Sequence, residues 1–156
     1  MKTIILYATK HGTAAEIAKR IAAHLDNADI VDIKLGDIPA LDEYDCVIIG
    51  GSVYAGLLRK EARTFIAQNA DALCKKKLGL FISAMDEDSE EQIFKTNVPE
   101  SVLQAAIVKS ALGAAFDPKK ANFIERLIMK AVTKQSGAVN KINDEKISKF
   151  AETMKA

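Results

Sequence analysis

Apolar positions along this chain alternate between two periods. Thr3 to Ala8 is a short, nearly continuous apolar run, as in a strand buried on both faces. Behind it Ala14, Ile17, Ala18, Ile21, Ala22 and Leu25 recur at the spacing of one helical face, predicting a helix from about Thr13 to Leu25. The alternation continues with a strand over Ala28 to Ile33 and a strongly apolar strand from Cys46 to Ile49, entered through Tyr44-Asp45 and ending at Gly50-Gly51. Ser52 to Leu58 then reads as a loop, and Arg59 to Leu73 as a helix burying Ala62, Phe65, Ile66 and Leu73. Leu78 to Ser83 is unbroken and suits a central strand, followed by a polar loop from Ala84 to Ser89. Ser89 can cap a short helix through about Phe94, with Glu90 and Glu91 at the positive end of its dipole. Pro99 suits the first turn of another helix, and Ile107 to Phe116 reads as a last strand. Helices near Asn122 to Lys134 and Asp144 to Met154 complete the pattern. Strands alternating with helices in this way predict an α/β fold, a parallel sheet covered on both faces.

The 156 residues, 49% of them hydrophobic, suffice for one compact domain over residues 1–156, and no repeat or low-complexity linker divides them. A formal charge of +1 gives no reason to expect nucleic acid. The charge is uneven, however. Residues 1 to 108 carry 12 basic and 16 acidic side chains, against 10 and 5 in residues 109 to 156, a split of −4 and +5. The first residues hold too short an apolar run for a signal peptide, and no stretch approaches ~18 apolar residues, so a cytoplasmic location is expected. Cys46 and Cys74 fit no metal or redox spacing and read as free thiols.

The chemistry is concentrated where the first strand meets the first helix. Ile4-Ile5-Leu6-Tyr7 runs into Thr9-Lys10-His11-Gly12-Thr13-Ala14, so backbone N–H groups at the helix start can converge on an anion. Thr9 and Thr13 can add hydroxyl donors, and Gly12 permits a turn that a side chain would hinder. The loop lacks both the Gly-Lys-Ser/Thr ending of a triphosphate site and the GxGxxG spacing of a dinucleotide site, which leaves one monophosphate as the better fit. The plainer alternative is a strand-to-helix turn with a threonine cap. His11 is expected to point to solvent and His24 to face out on the first helix, and no nucleophile–base constellation appears, so no catalytic residue is assigned.

This loop resembles the first-loop signature of the flavodoxin family, in which Ile5, Leu6, Tyr7, Thr9, Gly12, Ala18 and Ile21 all match. Ala14 departs from it, because the family usually has a threonine there to bond the phosphate. The resemblance implies a flavodoxin-like fold, a five-stranded parallel sheet of order 2-1-3-4-5 with helices on both faces, binding FMN noncovalently. In such a sheet the crevice opens at the carboxyl ends of strands one and three. The loop Gly50-Gly51-Ser52-Val53-Tyr54-Ala55-Gly56 would then flank the isoalloxazine, with Tyr54 as a stacking aromatic and the Ala55-Gly56 peptide turning its carbonyl toward the reduced ring. A half-buried surface tyrosine is the alternative reading of Tyr54. Ser83-Ala84-Met85-Asp86 corresponds to the family's third cofactor loop, contributing backbone groups to the pyrimidine edge. The acidic run Asp86, Glu87, Asp88, Glu90, Glu91 is either a solvated face or a field that disfavours an anionic reduced flavin.

The stretch Ser110 to Pro118 followed by Asn122 to Lys130 is similar to a flavodoxin-domain branch that includes menaquinone-linked protoporphyrinogen oxidases. It implies a quinone-linked oxidoreductase acting on a porphyrinogen. A small electron carrier whose partners are only redox proteins is the second reading, and a regulatory or interaction domain that has lost its flavin is the third. Arg126, Lys130 and Lys134 line one side of the 122–134 helix at intervals of four, opposite an apolar stripe. That face is either a solvated surface or a peripheral contact with anionic lipid.

Overall fold

A computed structural model describes residues 1–84, 87–116 and 139–156. The first strand, β1 (Thr3–Ala8), leads into α1 (Thr13–Ala23) and β2 (Ala28–Asp32). Then come β3 (Cys46–Tyr54), a two-residue β4 (Leu57–Leu58), α2 (Lys60–Gln68), α3 (Ala70–Leu73) and β5 (Lys77–Ser83). After it lie α4 (Glu90–Asn97), α5 (Glu100–Ala105), β6 (Ala106–Ala111) and a small antiparallel pair, β7 (Ala115–Phe116) with β8 (Val139–Asn140). The last helix is α6 (Asp144–Lys155).

The sheet order is β2-β1-β3-β5-β6, with every pairing along that path parallel and β4 hung on β3 as an antiparallel hairpin. Setting the hairpin aside, this is the expected 2-1-3-4-5 order. Alternate residues of the strands feed two separate cores. Ile4, Leu6, Val47, Ile49, Leu80 and Ile82 pack with Ala62, Ile66, Phe94 and Val102 from α2, α4 and α5. Ile5, Ile48 and Phe81 point the other way, against Ile17 and Ile21 of α1 and Phe150 and Met154 of α6. Sandwiching between two helical layers explains why β1 reads as an uninterrupted apolar run rather than as an alternating one.

Several boundaries depart from the sequence expectation, each for a local reason. Ser52 to Leu58 is not a loop: β3 continues through Tyr54, and Val53 and Tyr54 pair with Leu58 and Leu57 across a two-residue turn at Ala55-Gly56. Both turn residues have positive φ, 51° and 78°, which matches the twist a tight hairpin needs. The helix expected from Arg59 to Leu73 is divided at Asn69, whose side-chain Nδ2 and backbone N–H both donate to the Phe65 carbonyl, at 2.9 and 3.0 Å. The last strand ends at Ala111 instead of reaching Phe116, because Gly113 turns into the left-handed region at φ 95° and the chain leaves the sheet. Ser89 occupies the cap position of α4 without a capping hydrogen bond, and Pro99 lies at the cap of α5, just before its first turn. The helix expected over 122–134 lies outside the described residues.

Candidate functional site

Register places the ends of three central strands side by side. Ala8 of β1 pairs with Gly51 of β3, and Ser52 of β3 with Ser83 of β5, so the segments following all three strands emerge along one edge of the sheet. Two of these segments touch. The Lys10 ammonium lies over the Tyr54 ring, 5.9 Å from its centroid, bringing the turn after β1 and the β3–β4 hairpin together.

In the first segment Gly12 has φ 95° and ψ −5°, and an added Cβ would meet nothing within 4 Å. Only backbone conformation therefore demands glycine there. Its N–H donates to Thr9 Oγ1 at 2.9 Å, bending the loop back on itself, and its carbonyl accepts from the Glu16 N–H at 3.0 Å as the first helical bond of α1. The amides of Thr13, Ala14 and Ala15 precede that bond and have no intrahelical acceptor, leaving donors at the positive end of the helix dipole. Such a cradle accepts an anion.

The threonines behave differently from a simple donor pair. Thr9 Oγ1 is engaged as an acceptor, while Thr13 Oγ1 donates to the Ala115 carbonyl at 3.4 Å. Ala14 is fully buried and packs with Ile5, Ile17 and Ile48. A threonine here would direct its Cβ branch into that packed layer, so the residue contributes to the loop through its amide alone. His11 is half-buried, and His24 is exposed at the end of α1.

Along the second segment Tyr54 is half-buried, while Ala55 and Gly56 are exposed at the hairpin tip. Val53 faces the α2 and α4 layer and is partly buried against it. The Ser52 hydroxyl is buried and, among the described residues, has no hydrogen-bond partner. An unpartnered hydroxyl at this edge is an unmet polar requirement that a bound heterocycle could satisfy. Ser83 and Ala84 of the third segment are each 4% exposed, so they could offer a ligand little beyond backbone groups. Met85 and Asp86 lie outside the described residues.

Sequence reasoning missed Asn97 entirely. This buried side chain at the end of α4 bonds both the Gly56 carbonyl and the Leu58 amide of the hairpin. No motif marked it, because the contact spans about 40 residues of sequence and depends on how α4 packs. The ion pair at the start of α2, where the helix was expected to begin, was not singled out either. Arg59 lies 3.4 Å from Glu61, whose carboxyl is held below its ordinary range first by its own backbone N–H and also by Arg59, against the opposing effect of burial. At the end of β1, burial and the facing Asp32 push the Tyr7 phenol up.

The acidic run is only partly a solvated face. Glu91 pairs with Lys95 at 2.9 Å in solvent, but Glu90 Oε1 accepts the Ala111 amide at 2.6 Å and ties α4 to the end of β6. A cleft of about 360 Å³ between α4, α5 and β6 is lined in part by Glu90 and Glu91 of this run but by no residue of the three cofactor segments. No group of three metal-ligating side chains occurs among the described residues. Cys46 is buried and Cys74 exposed, both as free thiols. No helix among the described residues is long and apolar enough to cross a membrane.

Comparison with known proteins agrees with this fold. A family model described as a flavodoxin domain matches residues 4–142. The structure of oxidised Flavodoxin 2 from Bacillus cereus superposes with a TM-score of 0.62 at 22% identity, covering 99% of this chain and 98% of that one. A flavoprotein from Lactobacillus acidophilus, solved in complex with FMN, superposes at 0.53 with 14% identity, covering 72% and 91%. Among curated proteins, protoporphyrinogen IX dehydrogenase [quinone] of Escherichia coli is 32% identical over 77 residues, 47% of this chain and 42% of that protein. The match thus spans less than half of either chain.

Proposed function

This chain belongs to the flavodoxin-domain family, and on that premise we propose that it is an electron-transfer protein working through noncovalently bound FMN. The observation that carries this reading is the meeting of an anion cradle and an aromatic hairpin at one sheet edge, joined by Lys10 over Tyr54. The groups fit FMN. Amides of Thr13, Ala14 and Ala15 would hold the phosphate, assisted by the exposed Lys10 charge. Tyr54 would form one wall of the ring site, the Ala55-Gly56 turn and the Ser52 hydroxyl would offer polar groups, and the strand end at Ser83-Ala84 would contribute backbone. Bound FMN supplies one- and two-electron chemistry, and the protein supplies position and electrostatics.

The Thr13 hydroxyl decides how well the cradle works. To donate to a phosphate it must leave the Ala115 carbonyl, and a charge-assisted bond of ~1.5–3 kcal/mol exceeds the roughly 1 kcal/mol of a neutral one. FMN binding would therefore move Thr13 from one partner to the other. Titration of the purified protein with FMN, followed by quenching of flavin fluorescence, tests the whole proposal. Saturable binding at micromolar FMN or below is expected, and none would defeat it.

A second, finer reading is favoured by the 77-residue likeness to the quinone-linked dehydrogenase. In it the oxidised protein takes electrons from a porphyrinogen and, once reduced, passes them to a quinone. Anaerobic reduction of the FMN-loaded protein followed by addition of a menaquinone analogue separates the readings. Rapid reoxidation by the quinone supports the dehydrogenase, and exchange only with a reductase or another redox protein supports the carrier.

A further inference from the structure

Asn97 lies outside all three cofactor segments, yet its side chain holds one of them. It ends α4 and is 8% exposed. Its Nδ2 donates to the Gly56 carbonyl at 2.9 Å and to the Ile93 carbonyl at 2.8 Å, while its Oδ1 accepts the Leu58 amide at 3.0 Å. Both amide hydrogens are thus used, one anchoring the side chain to its own helix and the other reaching across to the hairpin. Neutral hydrogen bonds in a buried place are costly to leave unmade, so this clamp resists rearrangement.

The clamp grips only one arm of the turn. Val53 and Tyr54 are held by pairing with Leu58 and Leu57, and the Gly56 carbonyl and Leu58 amide are held by Asn97. The Ala55–Gly56 peptide between them is the link that neither constraint fixes, and Ala55 there has a φ of 51°, unfavourable for a side chain that is not glycine. The turn is therefore a peptide under strain, braced from one side. Its place beside Tyr54 and Lys10 gives its backbone groups access to the ring of a bound flavin. Reduction converts a flavin ring nitrogen from hydrogen-bond acceptor to donor, so a backbone group fixed in one orientation favours one redox state over the other.

We propose that Asn97 is a positioning residue that sets how the protein divides its affinity between oxidised and reduced FMN, by bracing the hairpin whose free peptide meets the ring. The inference rests on the assignment of this edge as the FMN site. By linkage, the logarithm of the ratio of the two dissociation constants sets the shift of the bound cofactor's potential from that of free FMN.

Two variants test it in the full chain. Asn97→Ala removes every side-chain bond; Asn97→Ser keeps a hydroxyl able to bond the Ile93 carbonyl within the helix but is too short to reach Gly56, so α4 stays intact if the larger deletion fails to fold. The readouts are the dissociation constants for oxidised FMN and, anaerobically, reduced FMN, together with amide hydrogen exchange at Leu58. The expected result is a change of roughly five- to tenfold in the ratio of the two constants, the scale of one or two lost hydrogen bonds. Exchange at Leu58 should accelerate about tenfold while Val47 to Ile49 stay protected. Equal weakening of both redox states, with the ratio unchanged, would reduce Asn97 to a structural role and overturn the proposal. So would an unaltered Leu58 amide. Failure of the wild-type protein to bind FMN would instead defeat the functional assignment on which the inference rests.

Discussion

Position 12 isolates a backbone requirement from a packing one. Because a Cβ there would meet open space, Gly12→Ala should lose only conformational freedom, costing about 1–2 kcal/mol for a left-handed residue. Urea unfolding of the FMN-free protein measures that cost, and a loss well above it would mean the loop is packed more tightly than its geometry indicates. Two positions on, the opposite holds: Ala14 is buried among Ile5 and Ile17, so a threonine there has no room to act as a simple addition. Ala14→Thr is expected to destabilise the FMN-free protein by roughly 1–3 kcal/mol through overpacking, read in the same experiment. Tyr54→Ala should weaken FMN binding by ~1–3 kcal/mol, the scale of stacking a flat heterocycle on an aromatic ring. Unchanged affinity in a fluorescence titration would remove Tyr54 from the site.

Elements were legible where their signal was local. The Thr3–Ala8 strand and the start of α1 at Thr13 follow from apolar period and a glycine-bearing turn, and the Leu78 to Ser83 run was recognisable because a doubly covered strand has no polar face. The hairpin was less visible: Val-Tyr and Leu-Leu flank two residues that look like loop, and pairing emerges only once β3 is seen to project beyond the sheet. Asn69 and Asn97 show what pattern cannot carry, since each acts through side-chain bonds whose partners are chosen by geometry. A similar long-range bond secures the edge strand. Tyr44, just ahead of β3, donates its hydroxyl to Asp29 of β2 at 2.6 Å. That hydrogen bond first, then burial and the negative charges of Asp29 and Glu43, push the phenol from 10.0 up to about 12. The native state therefore retains a proton that the unfolded chain gives up near pH 10. The stabilisation is complete below pH 10 and is lost as pH rises toward 12. Urea midpoints between pH 9 and 12 should fall more steeply for the wild type than for Tyr44→Phe, and parallel curves would show that the bond does not couple to stability.

For the whole molecule, a ligand that binds only the folded chain must raise its stability. At free FMN one hundredfold above the dissociation constant, linkage gives about 2.7 kcal/mol, which for a chain of this size corresponds to a rise in Tm of roughly 5–10 °C. Calorimetry with and without FMN checks this, and an unchanged Tm at saturation would contradict binding to the native fold. The two-core construction also has a consequence in time. One face of the sheet is covered by α2 to α5, which follow closely in sequence, but Phe81 on the opposite face waits for Phe150 and Met154, about 70 residues later. At ~5–20 residues per second a ribosome needs roughly 4–14 s to deliver them. For that interval the nascent chain carries a half-clothed sheet, with the Phe81 face open until α6 arrives to close it.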